Sequence, residues 1–437
     1  MASQATSAGF SLPAAADRDA FRDRYLLLHA SIFVAAFFIL ALRRPDALLN
    51  AQFYAEDGKY WYAEAYNFGW RCLLLPVGGY LNTFSRLIGM FCQLFPLIRA
   101  PLIMNICALA AGILPVNVFL SSRLAAIPFN TRLLGAALYL ALPNSFEIHA
   151  NTTNIQWHLA LVGLLVLFGN ESRRLGWRIF DSVLLAVVVL DGPLGILLIP
   201  IAALLRWFRK DQRYNRALLI LIPPALLQVM FLLTSNSRGT AANGATLQRF
   251  VRIVGGQVFL SSVLGLKTTV HLFFQEGSKY YFYVSLVALV VGMFFLIYAL
   301  RNAPLELKLL HLFGFTVLAL ALKHPIPTFG AQFQQWGLME IPSCGNRYYY
   351  YPMLAFLATP IWILSTAKAR SALPRCAALI VLLCLPIGIW RDWHYRPFPD
   401  SNFKHYAEEF ERAAPGTQVS IPIVPMWPPW QMELTKH

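Results

Sequence analysis

Charged side chains are scarce in this sequence. Lys, Arg, Asp and Glu together make up only 13% of its 437 residues, whereas 57% are apolar and the mean hydropathy is +0.54. A soluble globule needs more charge to cover its surface, so this composition excludes a soluble fold for most of the chain. Apolar runs close to the length of a membrane-spanning helix recur along the sequence. The chain is therefore predicted to be an all-α polytopic integral membrane protein.

Acidic residues are fewer than basic ones, 21 against 36, and the formal net charge is +15. Such an excess could indicate binding to nucleic acid. Here, however, the basic residues stand in short clusters between apolar runs, and the sequence contains no compact basic soluble domain. In that position they set membrane topology and meet anionic lipid head groups. We therefore expect membrane lipid, and no nucleic acid, as a partner.

The six cysteines form no Cys-x-x-Cys pair and no Cys/His spacing typical of zinc sites. The sequence thus indicates neither a structural zinc nor a disulfide framework. His149 and His158 stand close in the sequence, but they lack a compact set of matching ligands. No cofactor is indicated, and a divalent metal ion is possible although no residue pattern signals one.

Lys- and Arg-rich connections of a membrane protein favour the cytoplasm, which orients the apolar runs. Residues 1–24 are polar, and the first apolar run, residues 25–42, lacks a small-residue cleavage site, which predicts a retained signal-anchor helix. Alternation of sides then gives about eleven spanning helices over residues 25–390. The predicted parts are a cytoplasmic segment 1–24, a membrane domain 25–390 and a small extracytoplasmic α/β tail, residues 391–437.

Three local patterns refine this topology. Asp191-Gly192-Pro193 interrupts an apolar run between basic flanks, which predicts two short helices joined by a tight outer turn, with a single kinked helix as the alternative. Residues 133–147 are predicted to form one helix and residues 234–280 a long outer segment. Residues 73–96 are apolar but broken by prolines and glycines, which favours juxtamembrane helices in the outer interface.

The tail combines a helical and an extended pattern. Phe403, Ala407 and Phe410 share one face of a helix predicted over residues 402–414, and residues 419–423 alternate as in a β-strand. The tail is too short to fold alone. We expect it to pack against the outer mouth of the membrane domain.

Four carboxylates that are far apart in the sequence reach the same outer surface in this topology. Glu56 and Asp57 form an adjacent pair beside an aromatic-rich segment, and Glu147 and Asp191 stand at helix ends. Carboxylates near lipid are costly and usually face a cavity or a partner. Plainer interpretations exist: Glu56 capping the next helix in a solvated loop, Glu147 as a solvated helix end, and Asp191 as a turn residue. Their convergence favours a functional site.

The basic counterpart is Arg347, which stands beside Tyr348 at the outer end of a predicted helix. A planar guanidinium suits bidentate contact with phosphate, although an interfacial Arg extending to water beside tyrosines would show the same pattern. Asn151 and Asn154 could hydrogen-bond sugar hydroxyls or merely cap their loop. His149 belongs to the same predicted outer loop and completes the candidate substrate-binding residues.

Six short motifs follow one another along the chain. They are Ala55-Glu56-Asp57-Gly58, Leu75-Pro76-Val77-Gly78-Gly79-Tyr80-Leu81, Ser85-Arg86-Leu87, Leu142-Pro143-Asn144, Asp191-Gly192-Pro193 and Asn346-Arg347-Tyr348. In their order and sidedness, these motifs resemble those of bacterial polytopic glycosyltransferases of the GT-C superfamily. The resemblance covers residues 25 to 390 and, more loosely, the tail.

The resemblance implies a glycosyltransferase of the bacterial inner membrane with an extracytoplasmic active site. It implies a polyprenyl-phosphate-linked sugar as donor, and it makes the aspartate of the first-loop acidic motif, Asp57 here, the general base. A hydroxyl of a glycan or lipid would be the acceptor. On chemical grounds Arg347 would stabilise the departing phosphate, and Glu56, Glu147 or Asp191 would orient a substrate.

Two other functions are compatible with parts of the pattern. A transporter or flippase for lipid-linked sugars would also need a lipid groove and a phosphate-binding Arg, but it predicts charges near the bilayer midplane and often paired halves. The sequence places the charges at the outer surface and shows no internal repeat. A ligase that joins glycan to lipid would use His149 or His271 as base. Transfer of labelled sugar in liposomes separates these three functions.

Overall fold

A computed structural model describes five stretches of the chain, residues 15–235, 241–324, 333–366, 371–426 and 429–437. Most of the predicted cytoplasmic segment 1–24 lies outside them. The α-helices of the described residues are α1 Ala15–Arg43, α2 Asp46–Leu49, α3 Ala63–Phe68, α4 Thr83–Cys92, α5 Ala100–Leu120, α6 Phe129–Ala141, α7 Ile155–Phe168, α8 Leu175–Leu190, α9 Leu198–Arg209, α10 Arg213–Thr234, α11 Leu247–Phe250, α12 Ser261–Leu264, α13 Leu266–Phe274, α14 Ser278–Asn302, α15 Leu305–Lys323, α16 Gln335–Met339, α17 Tyr350–Ser365, α18 Ala372–Asp392 and α19 Phe403–Arg412. The strands are β1 Gln418–Ile423 and β2 Trp430–Thr435.

Within the described residues, 6 helices are long and apolar enough to cross a membrane by length and composition. They are Leu26–Arg43, Leu97–Leu120, Arg213–Thr234, Lys279–Asn302, Leu305–Lys323 and Ala372–Asp392. Helices α6, α7, α8, α9 and α17 stand where the other spans were predicted, but they have only 12 to 16 residues each. The fold is that of a polytopic helical membrane protein, and the number of eleven spans stays a prediction.

Hydrogen bonds between connections distinguish two ends of the helix bundle. The N–H of Asn144, after α6, donates to Oδ2 of Asp392 at the end of α18 (2.9 Å). At the other end, Nη1 of Arg213 at the start of α10 donates to the carbonyl of Gly169 after α7 (2.6 Å). We call the end at which α6 and α18 terminate the site end. The end at which α7 terminates and α10 begins is the far end.

The predicted break at residues 191–193 is confirmed. Helix α8 ends at Leu190, a 3₁₀ turn Pro193–Leu197 packs back onto α8, and α9 begins at Leu198. Gly192 between them has a φ of +110°. Glycine accepts this positive φ, and the proline after it supplies no N–H to continue the helix. The structure therefore contains two helices here and not one kinked helix.

The segment predicted to lie outside, residues 234–280, is largely helical where the structure describes it, and residues 251–262 are buried, while residues 236–240 lie outside the described part. Its outer placement stays a prediction. A π-helical turn Val251–Leu260 joins α11 to α12, and every residue of this turn is buried. Gly255 and Gly256 lie directly against α14, where a Cβ atom would clash with Ser285 and Tyr281. The glycines allow close packing, and Ile253, Val258 and Phe259 of the same turn lie in the hydrophobic core. Arg252, Gln257 and Ser261 interrupt the apolar sequence, so a criterion based on long apolar runs misses this segment.

The helix predicted over residues 133–147 ends earlier than expected. Helix α6 stops at Ala141, and Glu147 lies in a separate 3₁₀ turn, Phe146–Ile148. The cause is Pro143, which restricts Leu142 to an extended conformation (φ −50°, ψ 120°). Glu147 therefore belongs to an ordered connection between α6 and α7, not to a helix end.

The region predicted to hold juxtamembrane helices, residues 73–96, contains α4. Arg86 of α4 has no exposed surface and lies 2.5 Å from the carboxylate of Glu64 in α3. It also stacks over Trp61, 5.1 Å from the ring centroid. These contacts tie α4 to the segment that follows α1. Its placement in the membrane interface stays a prediction.

Gln228 of α10 joins three elements. Its Oε1 accepts from the N–H of Leu81 (2.8 Å), and its Nε2 donates to the carbonyls of Leu81 and Val189 (3.0 Å each). The side chain has no exposed surface. We predict that Gln228→Leu lowers the free energy of unfolding by about 1–3 kcal/mol, because it leaves the buried N–H of Leu81 without a partner.

Thermal unfolding in detergent at one fixed scan rate measures this effect. The control is Gln212→Leu, since Gln212 is exposed at the start of α10. Equal melting temperatures for Gln228→Leu and the control would contradict the prediction.

The tail contains the predicted elements. Helix α19 buries the three residues predicted to share a face, and β1 pairs antiparallel with β2. The tail packs on the segment after α1, where the N–H of Ala55 donates to the carbonyl of Val424 (2.5 Å) and the N–H of Val424 donates to the carbonyl of Phe53 (3.1 Å). The tail backbone thus holds the residues that immediately precede the acidic pair.

Candidate functional site

Three connections meet at the site end: the segment after α1, the connection between α6 and α7, and the 3₁₀ turn Asn346–Tyr349 before α17. Thr152 of the second connection contacts Asp57 of the first. Glu147 of the second pairs with Arg347 of the third. The structure therefore brings the predicted acidic residues and the predicted arginine together from distant parts of the chain.

The acidic pair lies at a sharp change in backbone direction. Ala55 has a φ of +47°, in a region that residues with a Cβ rarely adopt, and the tail holds it there. Glu56 is helical (φ −61°, ψ −22°), and Asp57 begins a π-helical turn, Asp57–Tyr62. Successive side chains of a helical turn point roughly 100° apart. Glu56 and Asp57 consequently face different surroundings.

Asp57 is 1% exposed and accepts four hydrogen bonds. Its Oδ1 accepts from Thr152 Oγ1 (2.6 Å), the N–H of Thr153 (2.6 Å) and Thr153 Oγ1 (2.8 Å). Its Oδ2 accepts from the N–H of Thr152 (3.0 Å). Burial raises the pKa of Asp57 to about 6, although both threonines act to lower it. Asp57 anchors one connection to the other, and its role as base stays a prediction.

Glu56 is half-buried and interacts electrostatically with Arg347 and Glu147. Burial raises the pKa of Glu56, whereas the positive charge of Arg347 and a hydrogen bond from Thr153 act to lower it. The negative charge of Glu147 raises it further. Glu56, Arg347 and Glu147 are thus close enough to interact electrostatically, and both Glu56 and Arg347 are half-buried. We call the surroundings of these three side chains the site recess. A carboxylate with a raised pKa in such a place takes up a proton more readily than an ordinary Glu.

Arg347 and Glu147 form an ion pair with a backbone supplement. Nη1 of Arg347 donates to Oε1 of Glu147, and the N–H of Arg347 donates to Oε2 (2.9 Å). Burial disfavours the charge of Arg347, but Tyr348 and Glu147 outweigh it and raise the pKa of Arg347 well above its usual value. The guanidinium also lies over the Tyr348 ring, 5.0 Å from the centroid. Arg347 is therefore a permanent, oriented positive charge.

Asp191 lies at the break between α8 and α9. It is 1% exposed, and its Oδ1 accepts from the N–H groups of Phe84 (2.9 Å) and Ser85 (3.1 Å) at the start of α4. Burial raises the pKa of Asp191 to about 7. Asp191 reaches Asp57 only indirectly, because Ser85 Oγ donates to the carbonyl of Thr152 (3.1 Å). These contacts agree with the interpretation as a turn residue, and a sugar contact stays a prediction.

Asn151 and Asn154 are 1% exposed and bond within their own loop. Nδ2 of Asn151 donates to the carbonyls of Glu147 (2.9 Å) and His149 (3.1 Å), and Nδ2 of Asn154 donates to the carbonyl of Glu147 (2.9 Å). Oδ1 of Asn151 accepts from the N–H of Asn154 (2.9 Å). Of the two alternatives left open by the sequence, loop capping agrees with these contacts. Contact with a sugar stays a prediction.

His149 is 2% exposed, and its ring stacks between His158 (5.3 Å between centroids) and Tyr395 (5.8 Å). Burial, followed by the neighbouring His158, lowers the pKa of His149 well below its usual value. The imidazole is therefore neutral and enclosed by rings. His271, the other candidate base of a ligase, lies on α13, 3.2 Å from Glu276. Neither position favours the ligase alternative.

Three of the four predicted carboxylates at the site end are each bonded to a partner of their own. Asp57 is bonded by threonines, Glu147 by Arg347, and Asp191 by the start of α4. Across the stretches of chain that the structure describes, no three His, Cys, Asp or Glu side chains form a group that could hold a metal ion. The carboxylates are thus separated by hydrogen-bond donors.

Arg43 and Arg44, at the end of α1, are the most prominent residues that the sequence interpretation missed. They are 0% and 2% exposed, and Arg44 donates to the carbonyls of Phe146 and His149 (3.0 Å each). Both stand at the predicted outer end of a span, where the positive-inside rule disfavours Lys and Arg. That conflict is the signal that could have shown that they are buried in protein.

Thr152 and Thr153 were missed for a different reason. Hydroxyl residues are common in loops, so two consecutive threonines carry no specific signal. Only the fold brings them to Asp57, which stands 95 and 96 positions earlier.

No known protein family matches this chain, and no curated protein matches its sequence. Among solved structures, the chain is similar to the archaeal oligosaccharyltransferase AglB from Archaeoglobus fulgidus, determined in complex with an inhibitory peptide and a dolichol-phosphate. The TM-score is 0.38 and the identity 14%, over 88% of this chain and 58% of that one. The chain thus spans less than two thirds of the length of that protein.

Proposed function

We propose that this protein is a membrane glycosyltransferase that moves a sugar from a polyprenyl-phosphate-linked donor to a hydroxyl of a glycan, lipid or other cell-envelope acceptor. The observation that carries this proposal is the group of side chains in the site recess, where half-buried Glu56 interacts with Arg347 and Arg347 is oriented by its ion pair with Glu147. A base and an anion-binding group are what such a transfer requires. The motif resemblance to GT-C enzymes supports the same chemistry, in a bacterial inner membrane with the recess on the extracytoplasmic side.

In the proposed reaction, a carboxylate takes the proton of the acceptor hydroxyl while the hydroxyl oxygen attacks the anomeric carbon of the donor. A new C–O bond forms as the bond from that carbon to the phosphate oxygen breaks, and the phosphate leaves with the bonding electrons. Arg347 stabilises the charge of the leaving phosphate in the site recess. A single displacement of this kind inverts the anomeric centre.

Different observations support Asp57 and Glu56 as the general base. The motif resemblance assigns it to Asp57. The geometry favours Glu56, because the Asp57 carboxylate is enclosed and already accepts four hydrogen bonds. We therefore propose that Glu56 takes the proton and that Asp57 positions the threonines next to it.

Apolar side chains suited to lipid contact follow the acidic pair along the chain. Those of Phe68, Trp70, Leu74, Phe91 and Leu94 are between 47% and 75% exposed. Aromatic residues favour the interface between bilayer and water. We propose that this surface faces the membrane and admits the polyprenyl chain of the donor.

We also propose the division into parts that the sequence predicts, with the tail, residues 391–437, contributing to the site. Val424 of the tail forms backbone hydrogen bonds with Phe53 and with Ala55. Ala55 directly precedes Glu56. The tail therefore supports the backbone of the site recess from outside the helix bundle.

Transfer assays with the purified protein in liposomes test the proposed function. A series of polyprenyl-phosphate donors with labelled sugars is supplied together with candidate glycan and lipid acceptors. The proposal expects the label in a new glycosidic product. Label that crosses the bilayer while still attached to the donor lipid would support a transporter instead.

The pH dependence of transfer offers a separate test. A base acts only when ionised, so activity is expected to fall as the pH is lowered through the pKa of Glu56. Because burial raises this pKa, the fall is expected at a higher pH than for an ordinary Glu. Arg347→Gln removes a charge that lowers the pKa of Glu56. In this variant the acidic limb of the kcat/KM profile is expected to move to still higher pH.

The profile of Arg99→Gln serves as the control, because Arg99 is exposed. An acidic limb at the same pH in Arg347→Gln and in the wild type would contradict the assignment of that limb to Glu56.

A further inference from the structure

A second charged surface lies at the far end of the bundle, in a groove between α8 and α10 with a volume of about 460 Å³. One part of the groove is aliphatic and is formed by Leu175, Ile179, Val183, Leu185, Leu219 and Ile220. The other part is charged and is formed by Arg123, Arg178, Arg213, Arg216, Glu171 and Asp181. An apolar wall therefore continues directly into a cluster of arginines.

The carboxylates of the groove do not neutralise its arginines. Asp181 forms an ion pair with Arg123, which donates to both carboxylate oxygens of Asp181. Glu171 is shared, because Arg178 Nε lies 3.0 Å from one oxygen and Arg216 Nη2 lies 2.6 Å from the other. Two arginines on one carboxylate leave an excess of positive charge.

Arg213 occupies the end of the groove that lies nearest the start of α10. Its Nη1 donates to the carbonyl of Gly169 (2.6 Å), and its Nε lies 3.2 Å from Asp211, which is half exposed and outside the groove lining. Arg213 is thus held in place by its own partners. The side chains that reach water are those of Arg178 and Arg216, at 41% and 47% exposed.

The aliphatic wall is exposed on the outside of the bundle. Leu175, Ile179 and Val183 of α8 are 69%, 54% and 57% exposed, and Leu219 of α10 is 72% exposed. In a membrane protein, such side chains contact lipid tails. The groove therefore offers lipid an apolar contact and a positive charge at adjoining places.

We propose that this groove binds an anionic diacyl phospholipid, with the phosphate of its head group against Arg178 and Arg216 and an acyl chain along the aliphatic wall. The planar guanidinium group pairs with phosphate oxygens in a bidentate manner. Basic pockets between membrane helices suit anionic head groups in this way. A zwitterionic head group fits less well, because it brings a cation of its own to the arginines.

This site is separate from the proposed transfer chemistry. Glu56 and Arg347 lie at the site end of the bundle, and the groove lies at the far end. Lipid binding in the groove can therefore be tested independently of sugar transfer at the site end.

The test uses the purified full-length protein in detergent micelles that contain phosphatidylglycerol or phosphatidylcholine. In native mass spectrometry, the protein is expected to retain phosphatidylglycerol in preference to phosphatidylcholine. In thermal unfolding, the melting temperature is expected to be higher with phosphatidylglycerol than with phosphatidylcholine. The variant Arg178→Gln/Arg216→Gln is expected to bind phosphatidylglycerol about 30-fold more weakly. Leu219→Gln is expected to weaken binding of the intact lipid but not of a water-soluble glycerophosphate.

The matched control is Arg209→Gln/Arg301→Gln, which removes two exposed positive charges outside the groove. Its affinity for phosphatidylglycerol is expected to equal that of the wild type. Equal retention of phosphatidylcholine and phosphatidylglycerol by the wild type would overturn the proposal. So would an equal loss of affinity in the control, or binding of free glycerophosphate as strong as that of the lipid, since the last result would indicate a site for a soluble anion.

Discussion

Glu56→Gln is expected to lower the turnover of sugar transfer by about 10²- to 10⁴-fold while the protein stays folded. Glutamine has the size and polarity of glutamate but cannot take a proton from the acceptor. Glu56 is half-buried, so its side chain is not enclosed as that of Asp57 is. An amide of the same shape fits in its place, so the local structure is expected to survive the substitution.

The measurement is initial-rate transfer in liposomes, together with the melting temperature of each purified variant. Glu409→Gln is the control, since Glu409 is exposed on α19. Undiminished turnover in Glu56→Gln would show that Glu56 is not the base.

Asp57→Asn distinguishes the two acids of the pair. Its amide nitrogen would face a donor of Thr152 or Thr153, so the variant is expected to lose about 1–3 kcal/mol of stability in addition to activity. If Asp57→Asn instead abolished transfer at an unchanged melting temperature while Glu56→Gln remained active, Asp57 would be the base, as the motif resemblance implies.

Arg43→Met is expected to destabilise the fold by about 3 kcal/mol or more. Arg43 has no exposed surface, and it donates to the carbonyls of Leu140 (2.8 Å), Leu142 (3.0 Å), Asp392 (3.3 Å) and Trp393 (3.4 Å). One side chain at the end of α1 thereby holds the ends of α6 and α18. Methionine fills much of the space but donates to none of these carbonyls, although Oγ of Ser145 still donates to that of Leu142 (2.6 Å).

The melting temperature and the yield of monodisperse protein in size-exclusion chromatography measure this effect. Arg43→Lys is expected to fall between Arg43→Met and the wild type, because an ammonium group retains the charge but cannot reach all four carbonyls in the guanidinium geometry. Arg99→Met, at an exposed position, is expected to change stability by about 0.5 kcal/mol or less. A melting temperature of Arg43→Met equal to that of this control would contradict the structural role of Arg43.

Much of the helical layout could be predicted from the sequence, because the bilayer imposes a length and a polarity on every span. A helix lies at each predicted span, and the break at Asp191-Gly192-Pro193 follows from the local chemistry of glycine and proline. The buried turn Val251–Leu260 could not be found in this way. Gly255 and Gly256 let it pack closely against α14, and polar residues such as Gln257 divide its apolar residues into short runs.

In the site, too, some features follow from the local sequence and others only from tertiary contacts. Carboxylates and an arginine at helix ends predict a polar cluster, and the structure places Glu147 against Arg347. The sequence gives no means of telling that Asp57 is enclosed by Thr152 and Thr153 while Glu56 is left half-buried in the site recess. Adjacent residues in one motif differ here only because their side chains leave the backbone in different directions.

The sequence by itself determined that this is a polytopic helical membrane protein, in which acids and an arginine gather at one end of the bundle. Apolar length, proline and glycine breaks, and the cost of charge near lipid are local properties, so each is legible in a short stretch of chain. Only the tertiary structure decided which carboxylate stays open, that Arg43 and Arg44 lie inside the protein, and that Val424 supports the acidic pair. These outcomes depend on donors and acceptors that stand tens to hundreds of positions apart, and only the packed fold brings such groups within hydrogen-bond distance.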